Sequence, residues 1–195
     1  MIKEDVSLLE QLYGFRYRGR AALLCLVLFL IFTGLFQYLS TSYRAAADPT
    51  LVDLQLSFSA RQFHEIIMVW SKSVGGAIDN YKLMTLSLDY FYPIIYSVML
   101  AFAYSSARGN DKPNKLDMAL FVLPFVAAFF DFFENTFHLV LLRNVHNLVH
   151  AIIAGYSPLA VGLSAAAATL KFLFFYAGIL AVSGAVVYRV KKRFC

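Results

Sequence analysis

Apolar residues fall in four long runs separated by short polar stretches. The first, "AALLCLVLFLIFTGLFQYL" at 21–39, is long enough to cross about 30 Å of hydrocarbon as a helix. The second lies within 83–106, the third within 116–142 and the fourth within 161–188. Ahead of the first, Ile2, Val6, Leu9 and Tyr13 recur at helical spacing. That spacing predicts an amphipathic helix within residues 1–20, lying on a membrane surface. The whole chain, 1–195, then reads as a single transmembrane domain. Its expected fold is all-α: an integral membrane four-helix transmembrane bundle with an outer cap of interfacial helices.

The cap is expected from the two connections 40–82 and 143–160. Ser59-Ala60-Arg61-Gln62 has the form of a capping box opening a helix. Phe63, Ile66, Ile67 and Trp70 then share one face. A helix of that kind is expected on the outer membrane surface, with Trp70 as its anchor and Gly75-Gly76 at its end. Asn114 and Asp117 have the form of a cap for the third span, after a cytoplasmic turn at 107–115. Ser157-Pro158 reads as a helix start. Ala45-Ala46-Ala47 offers a small-residue cleavage site, yet the first run is long for a signal sequence and its leader carries Glu4, Asp5 and Glu10. An uncleaved anchor is expected.

Composition agrees with the pattern. The chain is 60% hydrophobic and 15% charged, whereas soluble domains run about 45–50% apolar. The net charge of +5 is unevenly placed. Arg16, Arg18 and Arg20 precede the first run. Arg108, Lys112 and Lys115 sit between the second and third. Arg189, Lys191, Lys192 and Arg193 lie in the basic tail, 189–195. Clusters at alternate span ends follow the positive-inside rule, which predicts a multi-pass protein with cytoplasmic N- and C-termini. Membrane lipids, and another membrane protein, are the partner classes this suggests; no nucleic-acid partner is expected. Cys25 and Cys195 lie at different places along the fold and are not expected to pair.

The third run contains "FFDFFENTFHLVLL" at 129–142. Its uncharged part, Met118 to Phe130, is too short to span, so the helix must carry Asp131 into the bilayer or its boundary. Asp131, Asn135 and His138 follow i, i+4, i+7, and Glu134 is at i+3, so the four share a stripe. Pro124, Ala127 and Ala128 extend it, while Phe130, Phe133 and Phe137 lie on other faces. The second run places Asp89, Tyr92 and Tyr96 on one face, and Pro93 deprives the Asp89 carbonyl of its helical donor. The fourth run adds Lys171. At 1.5 Å per residue, Asp89 lies roughly 10 Å from Lys82, and Glu134 and Asp131 roughly 13 and 18 Å from Arg143. Lys171 falls roughly 13–20 Å from Ser157-Pro158. These depths overlap, and a charge at mid-bilayer costs roughly 2.5–3.5 kcal/mol on insertion scales. Lys171 with Glu134 or Asp131 is the expected ion pair, leaving two carboxyls without a cation. If the helices slide outward by a turn, the same residues become a wet rim that glues helix ends, with Lys171 snorkelling to headgroups.

Around "LSLDYFYPIIYSVMLAF" and "FFDFFENTFHLVLL" the chain resembles a group of small, uncharacterised four-span membrane proteins with LDxxFPxxY-like and DxxEN motifs. Asp89, Pro93 and Tyr96 match the first motif, with Tyr92 where Phe is usual; Asp131, Glu134 and Asn135 match the second. The resemblance implies that the two segments form one constellation and implies no activity. The seven-span ceramidase-like hydrolases fit poorly, because only His146/His150 match their motifs. The four-span sterol isomerase-like proteins are similar in architecture alone.

Three functional readings follow. The first is a membrane protein that binds an amphiphile or lipid, or serves as an accessory subunit of a membrane complex. Its ligand-binding residues would be Asp89, Tyr92, Tyr96, Asp131, Glu134, Asn135, His138 and Lys171. The second is an enzyme acting on a membrane lipid by acid–base or metal-assisted chemistry, with Glu134, Asp131 and His138 as catalytic candidates. His146 and His150, in "HNLVH", have the i, i+4 spacing of metal ligands but do not complete a site. The third, an ion path, is disfavoured by the apolar inner halves "MALFVLPFVAA" and "VMLAFAY". No cofactor is assigned: the chain has no glycine-rich phosphate loop and no nucleophile elbow.

Overall fold

Helices form wherever the apolar runs predict them. The computed structural model describes residues 7–43, 49–72, 76–109, 112–145, 148–153 and 155–194. In chain order these give α1 (Leu8–Tyr13), α2 (Arg18–Tyr43), α3 (Leu51–Gln55), α4 (Ala60–Ser71), α5 (Ala77–Met84), α6 (Tyr92–Arg108), α7 (Lys115–Leu141), α8 (Leu148–Ile153) and α9 (Pro158–Phe194). Among the described residues there is no strand. Four helical stretches, Arg18–Leu39, Ala77–Arg108, Lys115–Leu141 and Pro158–Phe194, are long and apolar enough to cross a membrane.

Local chemistry accounts for the boundaries. Asn114 Oδ1 accepts from the Asp117 amide at 2.8 Å, and Asp117 Oδ2 accepts from the Asn114 amide at 3.2 Å, a closed capping box for α7. Ser59 caps α4 through the Gln62 amide at 3.1 Å. The second apolar run gives a longer helical stretch than 83–106. It starts at Ala77, passes through one π turn at Thr85–Asp89 and continues as α6, with Pro93 in the first turn of α6. A wide turn there fits the missing Pro93 amide, since the helical ladder is already interrupted.

The long helices pack side by side. The most extensive contact joins α7 to α9, followed by α2 to α6 and α6 to α7. At Gly178 of α9 an added Cβ would lie 3.2 Å from Pro124 Cγ, so this glycine sets how closely α9 approaches α7. One end of the assembly, here the short-helix end, is closed by α3, α4, α5 and α8. There Phe63, Ile66 and Ile67 of α4 bury against Ile78 and Tyr81 of α5, Leu142 and Val161. The apolar face of α4 therefore packs onto protein, and Trp70 donates through Nε1 to the Pro49 carbonyl at 3.2 Å. The other end, the terminal end, gathers α1, the C-terminal turns of α6 and α9 and the start of α7 around Tyr13, Tyr104 and Phe121.

The radial distribution of polarity is inverted relative to a water-soluble bundle. On α7 the buried positions include Asp131, Glu134, Asn135 and His138, while Phe129, Phe133 and Val140 are exposed. Leu23, Leu24, Leu30 and Ile31 of α2 and Leu173, Leu180 and Val187 of α9 also face outward.

Candidate functional site

The polar stripe of α7 meets its partners at the short-helix half of the assembly. Glu134 and Asn135 are fully buried, His138 is 1% exposed, Asp131 4% and Lys171 6%. Lys171 of α9 lies between two carboxyls: its Nζ is 2.5 Å from Glu134 Oε2 and 3.4 Å from Asp131 Oδ1. Both pairings anticipated from the sequence thus occur together, through one ammonium. Tyr96 of α6 donates to Asp131 Oδ2 at 3.2 Å. His138 Nδ1 lies 2.8 Å from the Tyr81 hydroxyl and 3.8 Å from Glu134 Oε1.

The carbonyl released by Pro93 is also used. Asn135 Nδ2 donates to the Asp89 backbone oxygen at 3.2 Å and to Asp131 Oδ1 at 3.4 Å. A buried carbonyl without a donor would cost on the order of 1–3 kcal/mol, so Asn135 repairs the ladder that Pro93 interrupts. The sequence thereby couples a proline in one helix to an amide in another. Among the described residues the Asp89 carboxyl makes no hydrogen bond or ion pair with protein, and His138 Nε2 and Asn135 Oδ1 are buried without a hydrogen-bond partner.

Beside this group is a cavity of about 360 Å³. Asp89, Tyr92, Tyr96, Asp131 and Lys171 supply its polar wall. Phe36 of α2, Met84, and Phe172 and Phe175 of α9 supply apolar surface, and Leu51, Val52 and Gln55 of α3 close the short-helix side. Thr33, whose hydroxyl is 3.3 Å from that of Tyr92, and Gln37 complete the α2 wall. The rings of Phe29 and Tyr92 stack with centroids 5.1 Å apart, and Tyr96 meets Phe175 edge-on at 5.1 Å. The volume falls in the usual range for small-molecule pockets, about 300–1,000 Å³.

All eight ligand-site candidates belong to one connected region, but they divide in two. Asp89, Tyr92, Tyr96, Asp131 and Lys171 face the cavity, whereas Glu134, Asn135 and His138 sit behind its wall and hold Lys171, Asp131 and Tyr81. His146 lies outside the described residues. His150 is exposed on α8, and among the described residues no group of three His, Cys, Asp or Glu side chains is arranged to hold a metal.

Sequence reasoning missed Tyr81, Gln55 and the α2 wall. Tyr81, Thr85 and Asp89 continue the stripe of Tyr92 and Tyr96 backwards at helical spacing, a signal lost when the second span is started at 83. Gln55, which lines the cavity from α3, carries no such signal, because it is an isolated amide in a five-residue helix. Comparison of the chain with protein-family models, curated proteins and solved structures gives no match.

Proposed function

We propose that this chain is a multi-pass integral membrane protein that binds a membrane amphiphile in the cavity between α2, α6, α7 and α9. The apolar exterior of the long helices supports the membrane setting, since a surface of this kind in water would be an aggregation site. The basic clusters support the topology. Arg16, Arg18, Arg20, Arg108, Lys115 and the 189–193 tail gather at the terminal end, which the positive-inside rule places in the cytoplasm. The short-helix end then forms the outer cap and the cavity lies in the outer half.

One observation carries the binding reading: a cavity walled by rings on one side and by Asp89, Asp131 and Lys171 on the other. An amphiphile matches both. Its apolar body packs on Phe36, Phe172 and Phe175, and a hydrogen-bond-donating head meets Asp89. Structural glue alone fills its own space, because a void beside buried charges forfeits packing and leaves polar atoms unpaired. Acid–base catalysis on a lipid needs its two groups at the cavity surface. Of the three catalytic candidates Asp131 alone faces the cavity; Glu134 and His138 stand behind its wall, which favours binding over catalysis and gives the pair a positioning role.

Native mass spectrometry of protein released gently from membranes tests this. A stoichiometric amphiphile is expected with the wild type and lost in Val52→Trp, which fills the cavity, and in Asp89→Asn. Retention of the same adducts by both variants refutes the reading. A co-purifying protein in place of an adduct, unchanged by either substitution, points instead to an accessory subunit.

A further inference from the structure

A second cavity, of about 490 Å³, opens at the terminal end between α2, α6 and α9. Its floor is made of small residues, Gly19 and Ala22 of α2 with Ala103 and Ala107 of α6. The helices are close here: a Cβ on Gly19 would lie 3.1 Å from Ser106 Oγ. Small side chains at this crossing leave space above them in place of a filled interface.

The third wall is basic. Arg189 and Arg193 of α9 both line the cavity, and at i, i+4 they stand on one helix face. Arg189 Nη1 donates to the Ser106 carbonyl at 2.6 Å, which fixes the guanidinium at the rim. Among the described residues Arg193 has no hydrogen bond or ion pair, and no carboxylate lines the cavity. Asp117, at the same end, is already engaged. Asp117 holds Arg108 at 2.7 Å and accepts from Tyr104 at 2.8 Å, besides capping α7. Two adjacent guanidinium groups therefore face a roomy concavity that no carboxylate of the described residues lines. Each offers a planar fork of N–H donors that matches two oxygens of a phosphate. Val186 and Val190 add apolar surface to the same wall, Val190 beside Arg189 and Val186 one turn further from Arg193.

We infer that this cavity is a phosphate-binding site, occupied in the membrane by the headgroup of an anionic phospholipid. Its phosphodiester sits between Arg189 and Arg193, and an acyl chain runs along Val186 and Val190. Arg16, Arg20, Lys191 and Lys192 at the same end concentrate anionic lipid nearby. They do not line the cavity, which separates general attraction from the site itself. The site is independent of the amphiphile cavity at the opposite end.

The test uses full-length protein in vesicles of phosphatidylcholine with a minor fraction of phosphatidylglycerol. Retained lipid is counted by native mass spectrometry after extraction. One phosphatidylglycerol per chain is expected. Arg189→Gln/Arg193→Gln should weaken its retention roughly thirtyfold, from two basic contacts. Ala103→Leu, which fills the floor without changing charge, should weaken it similarly. Lys191→Gln/Lys192→Gln removes the same charge outside the cavity and should leave the stoichiometry intact. Inorganic phosphate added to lipid-stripped protein separates the sources. If it binds alone, at the same two arginines and as tightly as the lipid, a soluble phosphate compound replaces the lipid in the assignment. Equal loss in both charge-neutralised pairs, or wild-type retention in Ala103→Leu, overturns the site. Circular dichroism of each variant checks that the helices persist.

Discussion

Lys171→Met removes the ammonium shared by Glu134 and Asp131 while keeping much of the side chain's length. With Nζ at 2.5 Å and 3.4 Å from the two carboxyl oxygens, each attraction is roughly 5–7 kcal/mol at an effective dielectric constant of about 20. Desolvation of three buried groups offsets most of that gain. Removing one partner is different, because the solvation is not restored and two carboxyls remain facing each other. Breaking a buried pair this way costs about 3–5 kcal/mol. For a domain of this size that is a fall in Tm of roughly 6–20 °C. Trp70, the one tryptophan of the chain, packs edge-on against Tyr81 at 5.5 Å, and Tyr81 reaches His138. Its fluorescence therefore reports unfolding next to the site, in thermal ramps or in dodecyl sulfate titrations in mixed micelles. The triple variant Lys171→Met/Asp131→Asn/Glu134→Gln keeps the shape and removes all three charges. It is expected to recover most of the loss, since a well-packed neutral set often matches a buried ion triad. A Lys171→Met protein as stable as wild type, or a triple variant as unstable as the single one, would refute the reasoning.

Three further outcomes are expected. Asn135→Leu leaves the Asp89 carbonyl without its donor and should destabilise by about 1–3 kcal/mol. Pro93→Ala restores a helical donor for that carbonyl, so a double-mutant cycle should show the two changes coupled; strict additivity would remove the link between them. Arg61→Ala deletes an ion pair of 3.0 Å whose side chains are 90% and 61% exposed, and should change stability by no more than about 0.5 kcal/mol in the same unfolding assay. Burial pushes the Tyr156 phenol up to about 12. Its folded value then lies above the unfolded one, so its contribution is fully present below pH 10 and is lost as pH rises toward 12. Tyr156→Phe should remove one tyrosine's share of the absorbance change near pH 12 in an ultraviolet tyrosinate titration and reduce the slope of the stability profile between pH 10 and 12.

The inner stripe of α7 was legible because a helix has one period. Asp131, Glu134, Asn135 and His138 can share a face only on a helix, and their price in an apolar setting demands partners across it. The same reasoning anticipated the free Asp89 carbonyl, since proline chemistry is local. It did not anticipate which donor takes that carbonyl, because Asn135 arrives from another helix, 46 positions away in the chain. Nor did it separate cavity-facing from supporting residues. Both kinds lie on the same stripes, and rotation of a helix by a few tens of degrees moves a side chain from one role to the other. The α4 face illustrates the limit in a different way. Amphipathic spacing identifies an apolar face without naming what covers it, and here Phe63, Ile66 and Ile67 pack on α5 and the ends of α7 and α9.

The sequence by itself determined the long helices, the four stretches apolar enough to span a membrane and the residue types on the polar stripes, because these depend on short-range periodicity and on side-chain chemistry. Only the tertiary structure decided that one lysine serves two carboxyls, that Tyr81 and Gln55 join them from the short helices, and that voids remain beside Asp89 and between Arg189 and Arg193. Those properties depend on the relative rotation and depth of separate helices, which are set by side-chain volumes at their crossings, such as Gly178 against Pro124 and Gly19 against Ser106.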